Sequence, residues 1–356
     1  MSGVRNVARE AARRVYARWQ RAPLREAVLL EAYEGTAVGC NPGAVAERLL
    51  ADTDLPLVWA LRDPVPFEDP RVRAVRYRSA GYYRALATTK YLVNNVTFPP
   101  LFDKRDEQVY LNTWHGTPLK RMGRDIGTPY AQIANTVANF QAADLLLSSG
   151  EYMTRTMYER AYGVATDRVL EIGSPRVDVQ FPPDPDPDLV LYAPTWQEAT
   201  YTRAVDDLDE VAARMTAIEA AVPTGLRPAL RVHGKLAQRA ARDPRLRPFL
   251  VPPELTTNTL LRRCRTLVTD FSSVAFDFLA TGSQVLFFTP MEYPRGVYLA
   301  EDQWPGPRTA DIDTLQAWLA GEPPPAPMPL AAARARYCPH EDGQAAARAA
   351  AALLAR

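Results

Sequence analysis

The chain has 356 residues, is 47% hydrophobic, and carries a formal net charge of +1 at pH 7. That length exceeds what one core usually reaches, so two domains are expected, and the balanced charge excludes bulk nucleic-acid binding. Its cysteines, Cys40, Cys264 and Cys338, are too few and too scattered for a disulfide framework or a zinc site, which fits a reducing compartment.

The N-terminus holds Arg5, Arg9, Arg13, Arg14, Arg18, Arg21 and Arg25 against a single acid, Glu10. Val4, Val7, Ala8, Ala11, Val15 and Trp19 recur at helical spacing, so residues 1–25 read as a basic amphipathic helix. Its thin apolar face with a Trp suits an anionic membrane surface. The alternatives are a first helix packed on its own domain and an organelle transit peptide, the latter weakened by scarce Ser. No apolar run approaches the length of a membrane span and no signal-peptide core follows the start, so a cytoplasmic protein is expected.

Short apolar runs then alternate with helical segments. Strands are expected over Ala27–Ala32, Leu57–Leu61, Val72–Tyr77, Tyr91–Val93, Val109–Asn112, Leu145–Leu147 and Val169–Ile172. Helices are expected over Pro42–Leu50, Gly81–Ala87, Tyr130–Ala142 and Tyr152–Ala161. Such alternation predicts a mostly parallel, doubly wound sheet. The run Phe181-Pro182-Pro183-Asp184-Pro185-Asp186-Pro187-Asp188 forbids helix and central strand and marks a domain boundary. Alternation resumes with strands over Leu189–Ala193, Ala229–His233, Leu267–Thr269 and Val285–Phe288, and helices over Leu208–Ala221 and Ser272–Ala280. The expected division is a helix over 1–25, α/β domains over 26–181 and 188–322, and a C-terminal helix over 328–356 after the Pro323–Pro329 stretch.

Two constellations carry chemistry. Asn112-Thr113-Trp114-His115-Gly116-Thr117-Pro118-Leu119-Lys120 places one of only three histidines at the tip of a strand, followed by Arg121 and Arg124. A histidine there suits proton transfer near an anionic substrate, or it is a structural histidine under a turn. In the second half, Ser272-Ser273 opens a helix after a strand, which is either an anion site for a phosphate or an ordinary N-cap. Asp277, about one turn on, accepts from a ribose hydroxyl or merely favours the dipole. Arg231-Val232-His233-Gly234-Lys235 follows a strand, and if that strand continues, Arg231, His233 and Lys235 share a side and suit a pyrophosphate. His340 reads as structural, and no P-loop or G-x-G-x-x-G occurs.

Taken in order, several blocks resemble the CDP-glycerol glycerophosphotransferase family, the teichoic-acid primases and polymerases with related capsule polymerases. They are Asn94-Asn95 with Phe98-Pro99-Pro100, Thr113 to Lys120, Leu147 to Tyr152, Gly173-Ser174-Pro175-Arg176-Val177-Asp178, Tyr192-Ala193-Pro194-Thr195-Trp196, Arg231-Val232-His233, Thr269 to Phe278, and Pro305-Gly306-Pro307. The chain departs from the family pattern at Gly234, Ser174 and Val177. The resemblance implies an α/β, GT-B-like fold of two doubly wound Rossmann-like domains facing a cleft, in a compact single-module enzyme. It implies transfer of a polyol phosphate, glycerol phosphate first and ribitol phosphate second, from a CDP-polyol to a hydroxyl of a lipid-linked or polymer acceptor. CMP leaves, at the inner face of the cell membrane.

On this reading His115 matches the family's candidate base, and His233 with Ser272-Ser273 matches the pyrophosphate and nucleotide contacts. Trp114, Gly116, Thr117, Lys120, Arg121, Arg176, Thr195, Arg231, Lys235 and Asp277 complete the expected substrate-binding set. No tightly bound metal is expected, with Mg²⁺ allowed only on the donor diphosphate. The competing expectations are a GT-B glycosyltransferase using a nucleotide sugar and a non-catalytic scaffold binding an anionic polymer.

Overall fold

The structure is a computed structural model that describes residues 2–184, 186–195, 208–232, 234–321 and 323–356, with only the backbone of residues 2–6, 8, 9, 234 and 235. His233 and Trp196 lie outside the described residues, as does the side chain of Lys235. The chain forms two compact units. Unit 1 takes Met1–His115, Gly123–Asp178 and Gln344–Arg356, and unit 2 takes Gly116–Met122 and Val179–Gly343.

Unit 1 begins with helix α1 (Ser2–Trp19) and is built on a seven-stranded sheet. Its strands are β1 (Arg25–Glu31), β2 (Leu57–Leu61), β3 (Val72–Arg76), β4 (Thr89–Asn94), β5 (Val109–Asn112), β6 (Leu145–Ser148) and β7 (Val169–Glu171). All pairings are parallel, in the order β3-β2-β1-β4-β5-β6-β7. Runs such as Leu57–Leu61 and Val109–Asn112 are buried at every position, as a sheet covered on both faces requires. The crossovers run through α2 (Cys40–Asp52), α3 (Ala80–Thr88), α4 (Tyr130–Ala142) and α5, which opens as an α turn at Glu151–Met153 and continues in π geometry over Thr154–Ala161. Strand order reverses between β1 and β4, and the carboxyl ends there are where open α/β sheets hold ligands.

Unit 2 carries α6 (Leu208–Ala221), α7 (Gly234–Ala240), α8 (Thr257–Arg262), α9 (Val274–Phe278) and α10 (Ile312–Ala320) around five parallel strands. These are β8 (Leu189–Ala193), β9 (Arg227–Leu230), β10 (Cys264–Thr269), β11 (Gln284–Phe288) and β12 (Arg308–Thr309), in the order β12-β11-β10-β8-β9. Here the reversal falls between β8 and β10. Tyr192, Met215, Ile218, Val268, Leu286 and Leu315 form its core.

Several of the expected bounds need correction, among them the helix expected over 1–25, which ends at Trp19 before β1 begins at Arg25. The strand expected over Ala229–His233 runs from Arg227 to Leu230 instead. It lies at the sheet edge, where Pro228 is tolerated, and it stops before Arg231, so strand alternation does not align Arg231, His233 and Lys235. The helix expected over Ser272–Ala280 begins one residue after Ser273 and passes into a 3₁₀ turn over Leu279–Thr281. The C-terminal helix expected over 328–356 is two helices, α11 (Leu330–Tyr337) and α12 (Ala345–Leu354), because Pro339 cannot continue a helix.

Helix α12 belongs to unit 1, where Ala349, Ala350 and Leu353 pack with Val45 and Leu49. The Asp178 carboxylate accepts from its first free N–H groups, Ala345 at 3.0 Å and Ala346 at 2.7 Å. The boundary between units therefore falls after Asp178 rather than after residue 181.

Candidate active site

His115 follows β5 through a strained turn. Trp114 has φ +46° and Gly116 has φ +144°. A left-handed non-glycine residue costs on the order of 1–3 kcal/mol and persists only where its surroundings dictate it. Those surroundings are visible. The Trp114 N–H donates to Asn112 Oδ1 at 3.0 Å, and the Thr113 N–H donates to Asn94 O at 2.8 Å. Asn41 Nδ2 donates to the carbonyls of Thr113 and Trp114, each at 3.1 Å. The Trp114 ring meets Phe140 edge-on at 5.5 Å and stacks on His115 at 4.2 Å.

The imidazole is oriented by one bond. His115 Nδ1 lies 2.7 Å from the Asn95 carbonyl oxygen. A carbonyl only accepts, so Nδ1 carries the proton and Nε2 keeps its lone pair. Burial holds the imidazole pKa down to about 4, with the Arg176 charge acting in the same direction and the Asn95 contact opposing. Arg176 Nη1 also donates to the His115 carbonyl. Tyr33 meets the His115 ring edge-on at 5.7 Å, while its N–H donates to Asn95 Oδ1 at 2.8 Å. Tyr33 leaves β1, Asn95 leaves β4 and His115 leaves β5, so the three converge at carboxyl ends beside the strand-order reversal. A neutral base with a fixed tautomer can take a proton there from an approaching hydroxyl.

Unit 2 has its own convergence at its reversal. Asp270, just past β10, accepts from the Thr195 N–H at 2.9 and 3.1 Å and from the Thr195 hydroxyl. Burial raises the Asp270 pKa, while the Thr195 donors and the charge of Lys120 pull it back. Lys120 Nζ sits 4.6 Å from the centre of the Tyr293 ring. Its segment is pinned by an antiparallel bridge to Val297, by Arg121 N–H to Gly296 O at 3.1 Å, and by Tyr298 N–H to Leu119 O at 2.8 Å. Gly306 lies so close to β11 that a Cβ would overlap the Val285 carbonyl.

The expected residues are thus distributed. Trp114, His115 and Arg176 come together in unit 1, and Lys120 and Thr195 come together around Asp270 in unit 2. Gly116 and Thr117 are buried in the pinned segment, and Arg121 Nε donates to Val297 O at 3.1 Å. Ser272 Oγ accepts from the Val274 N–H at 3.4 Å, whereas Ser273 makes no side-chain capping bond. Asp277 is buried, and its charge adds to the burial that raises the Cys338 thiol pKa. The Arg231 N–H donates to Tyr192 O at 2.9 Å, and its guanidinium pKa is lowered by burial. Sequence reasoning assigned no role to Asn95 or Asp270, although each directly follows a buried strand. It missed Tyr33 and Asn41, which carry no motif.

The sequence profile of the CDP-Glycerol:Poly(glycerophosphate) glycerophosphotransferase family matches residues 15–355. The teichoic acid glycerol-phosphate transferase of Staphylococcus aureus is 27% identical over 331 residues, spanning 83% of this chain and 84% of that protein. The teichoic acid poly(glycerol phosphate) polymerase of Bacillus subtilis is 26% identical over 321 residues, 80% of this chain and 42% of that one. The structure of the wall teichoic acid polymerase TagF matches with a TM-score of 0.79 at 22% identity, covering 99% of this chain and 95% of that chain. That likeness makes the fold GT-B-like.

Proposed function

The chain belongs to the CDP-Glycerol:Poly(glycerophosphate) glycerophosphotransferase family, and from that premise we propose that it moves glycerol phosphate from CDP-glycerol to a hydroxyl of a lipid-linked or polymer acceptor. It is a transferase of teichoic-acid-type cell-wall polymer synthesis. The mechanism rests on one observation: His115 Nδ1 lies 2.7 Å from the Asn95 carbonyl oxygen, which spends the Nδ1–H and leaves Nε2 as the accepting nitrogen of the neutral ring. Nε2 takes the proton of the acceptor hydroxyl. The freed oxygen attacks the glycerol-side phosphorus in line, the bond from that phosphorus to the bridging oxygen breaks, and CMP leaves with the electron pair. Phosphoryl transfer needs little beyond positioning and charge stabilisation. We assign the donor side to unit 2, with Arg231, Lys235, His233, Ser272 and Ser273 on the diphosphate and Thr195 at the reversal point. No resident metal takes part on this reading.

Membrane association belongs to the same reading. Among the described residues no helix is long and apolar enough to cross a membrane. Support for a surface contact comes from α1, where Val7 is 72% and Val15 48% exposed while Tyr16 alone on that helix is buried among the described side chains. Val7, Ala11 and Val15 of its apolar side are therefore exposed, and Arg13, Arg14 and Arg18 are exposed beside them.

The test is a donor panel. With a lipid-linked acceptor, CMP release should be strongest from CDP-glycerol, weaker from CDP-ribitol, and no nucleotide should be released from UDP-sugars. Turnover of a UDP-sugar alone would make the chain a glycosyltransferase. Polymer binding with no release from any donor would make it a scaffold.

A further inference from the structure

We propose that Asn41 is the positioning residue for the His115 base, acting through the two carbonyls and the one backbone N–H that its amide joins; the proposal rests on His115 being that base. Asn41 is 1% exposed and stands second in α2, after Gly39 and the left-handed Cys40 at φ +56°. Its Nδ2 holds Thr113 O and Trp114 O, and its Oδ1 accepts from the Arg176 N–H at 3.0 Å. The partners stand 72, 73 and 135 residues away in sequence. One side chain thereby ties the start of α2 to the exit of β5 and to the turn after β7.

Both ends of the amide are needed. Two carbonyls demand two N–H donors, and the Arg176 N–H demands an acceptor, a combination that only a carboxamide supplies. Aspartate has the same shape but would face two carbonyl oxygens with no proton to offer. Glutamine would overreach by a methylene.

The held peptides are the two that flank Trp114, joining it to Thr113 and to His115. Released, they would relax from the strained φ of Trp114, and the imidazole would swing away from Asn95 O. The other tautomer would then be allowed, in which Nε2 carries the proton and cannot accept one. The Arg176 N–H is held by the same amide, which sets its guanidinium against His115 O and the Cys40 thiol. The N-cap of α2 is Gly39, with no side-chain capping bond.

The test uses Asn41→Asp and Asn41→Ser in the full chain. Four readouts are followed: Tm, CMP release from CDP-glycerol, CDP affinity by calorimetry, and the His115 tautomer by ¹⁵N NMR, assigned against His115→Ala. Misplacement by about 1 Å costs about 10²-fold, so kcat should fall by about that factor in Asn41→Asp and less in Asn41→Ser. CDP affinity should stay within about twofold, and the Nδ1–H tautomer should become mixed. If Asn41→Asp does not fold, Asn41→Ser carries the same reading. A lowered Tm with unchanged kcat per folded molecule and an unchanged tautomer overturns the proposal. So does a loss of kcat matched by an equal loss of CDP affinity. An inactive His115→Ala beside normal Asn41 variants sinks this inference alone, whereas an active His115→Ala removes the base on which it rests.

Discussion

The tautomer of His115 decides what that residue can do. With Nδ1 committed to Asn95 O, Nε2 is a base at every pH where the ring is neutral. His115→Ala should therefore lower kcat by about 10²–10⁴-fold, the usual contribution of a general base, while calorimetry shows CDP affinity unchanged. The pKa near 4 sets the pH behaviour. The acid limb of kcat/KM should fall near pH 4, with a plateau through neutrality, and a limb near 6.5 would show an imidazole exposed to water. Between pH 6.5 and about 4 the unfolded imidazole binds a proton that the folded one refuses, so His115 lowers stability as pH drops through that window. His115 itself was legible in the sequence, as a rare histidine at the tip of an apolar run. Its orienting partner was not, because a backbone carbonyl has no residue type to read. The parallel register that pairs Asn94 with Asn112 brings Asn95 beside it, and register is set by tertiary structure.

Strands and helices add their own titrations and surfaces. Strand β1 ends on Glu31, which is 1% exposed and accepts from the Tyr82 hydroxyl at 2.6 Å. Burial pushes its carboxyl up from 4.5 to about 8. The folded state thus binds a proton that the unfolded chain has lost, so this contribution is full below pH 4.5 and vanishes as pH rises past about 8. Glu31→Gln, which stays neutral, should flatten the fall of Tm over that window, and parallel Tm curves for wild type and variant would contradict the assignment. Helix α1 makes a different forecast. Each basic residue near an anionic leaflet is worth about 1 kcal/mol, and a thin apolar face adds little, so binding should be reversible and screened by salt. Vesicles containing anionic lipid should retain the protein at low salt and release it at high salt. Changing Arg9, Arg13, Arg14 and Arg18 to Gln should abolish retention while leaving turnover of a soluble acceptor intact. Indifference of the wild type to anionic vesicles would return α1 to an ordinary packed helix. Element boundaries were legible where burial is continuous, as in β2 and β5. They were not legible at β9, where Pro228 argues against a strand until the sheet edge is known, nor at β12, whose two residues are too short for any period.

At the scale of the whole molecule, two parallel α/β units were readable from length, alternation and the proline run, but the path of the chain between them was not. Residues 116–122 belong to unit 2 although they follow β5 without a break, and α12 returns to unit 1 to be capped by Asp178. Neither fact has a local signal, since both are made by contacts distant in sequence. On the proposed mechanism, in which imidazole, guanidinium and hydroxyl groups do the positioning, no resident metal is needed. The purified enzyme should accordingly hold divalent metal far below one equivalent, and chelation should cost no more than the effect of Mg²⁺ on the donor diphosphate itself. The central claim is acceptor-dependent transfer with His115 as base, and its most direct measurement is CMP release from CDP-glycerol by wild type and His115→Ala, with and without a lipid-linked acceptor. Acceptor-stimulated release by the wild type, lost in a folded His115→Ala protein that still binds CDP, is the predicted result; equal release by both proteins would contradict it.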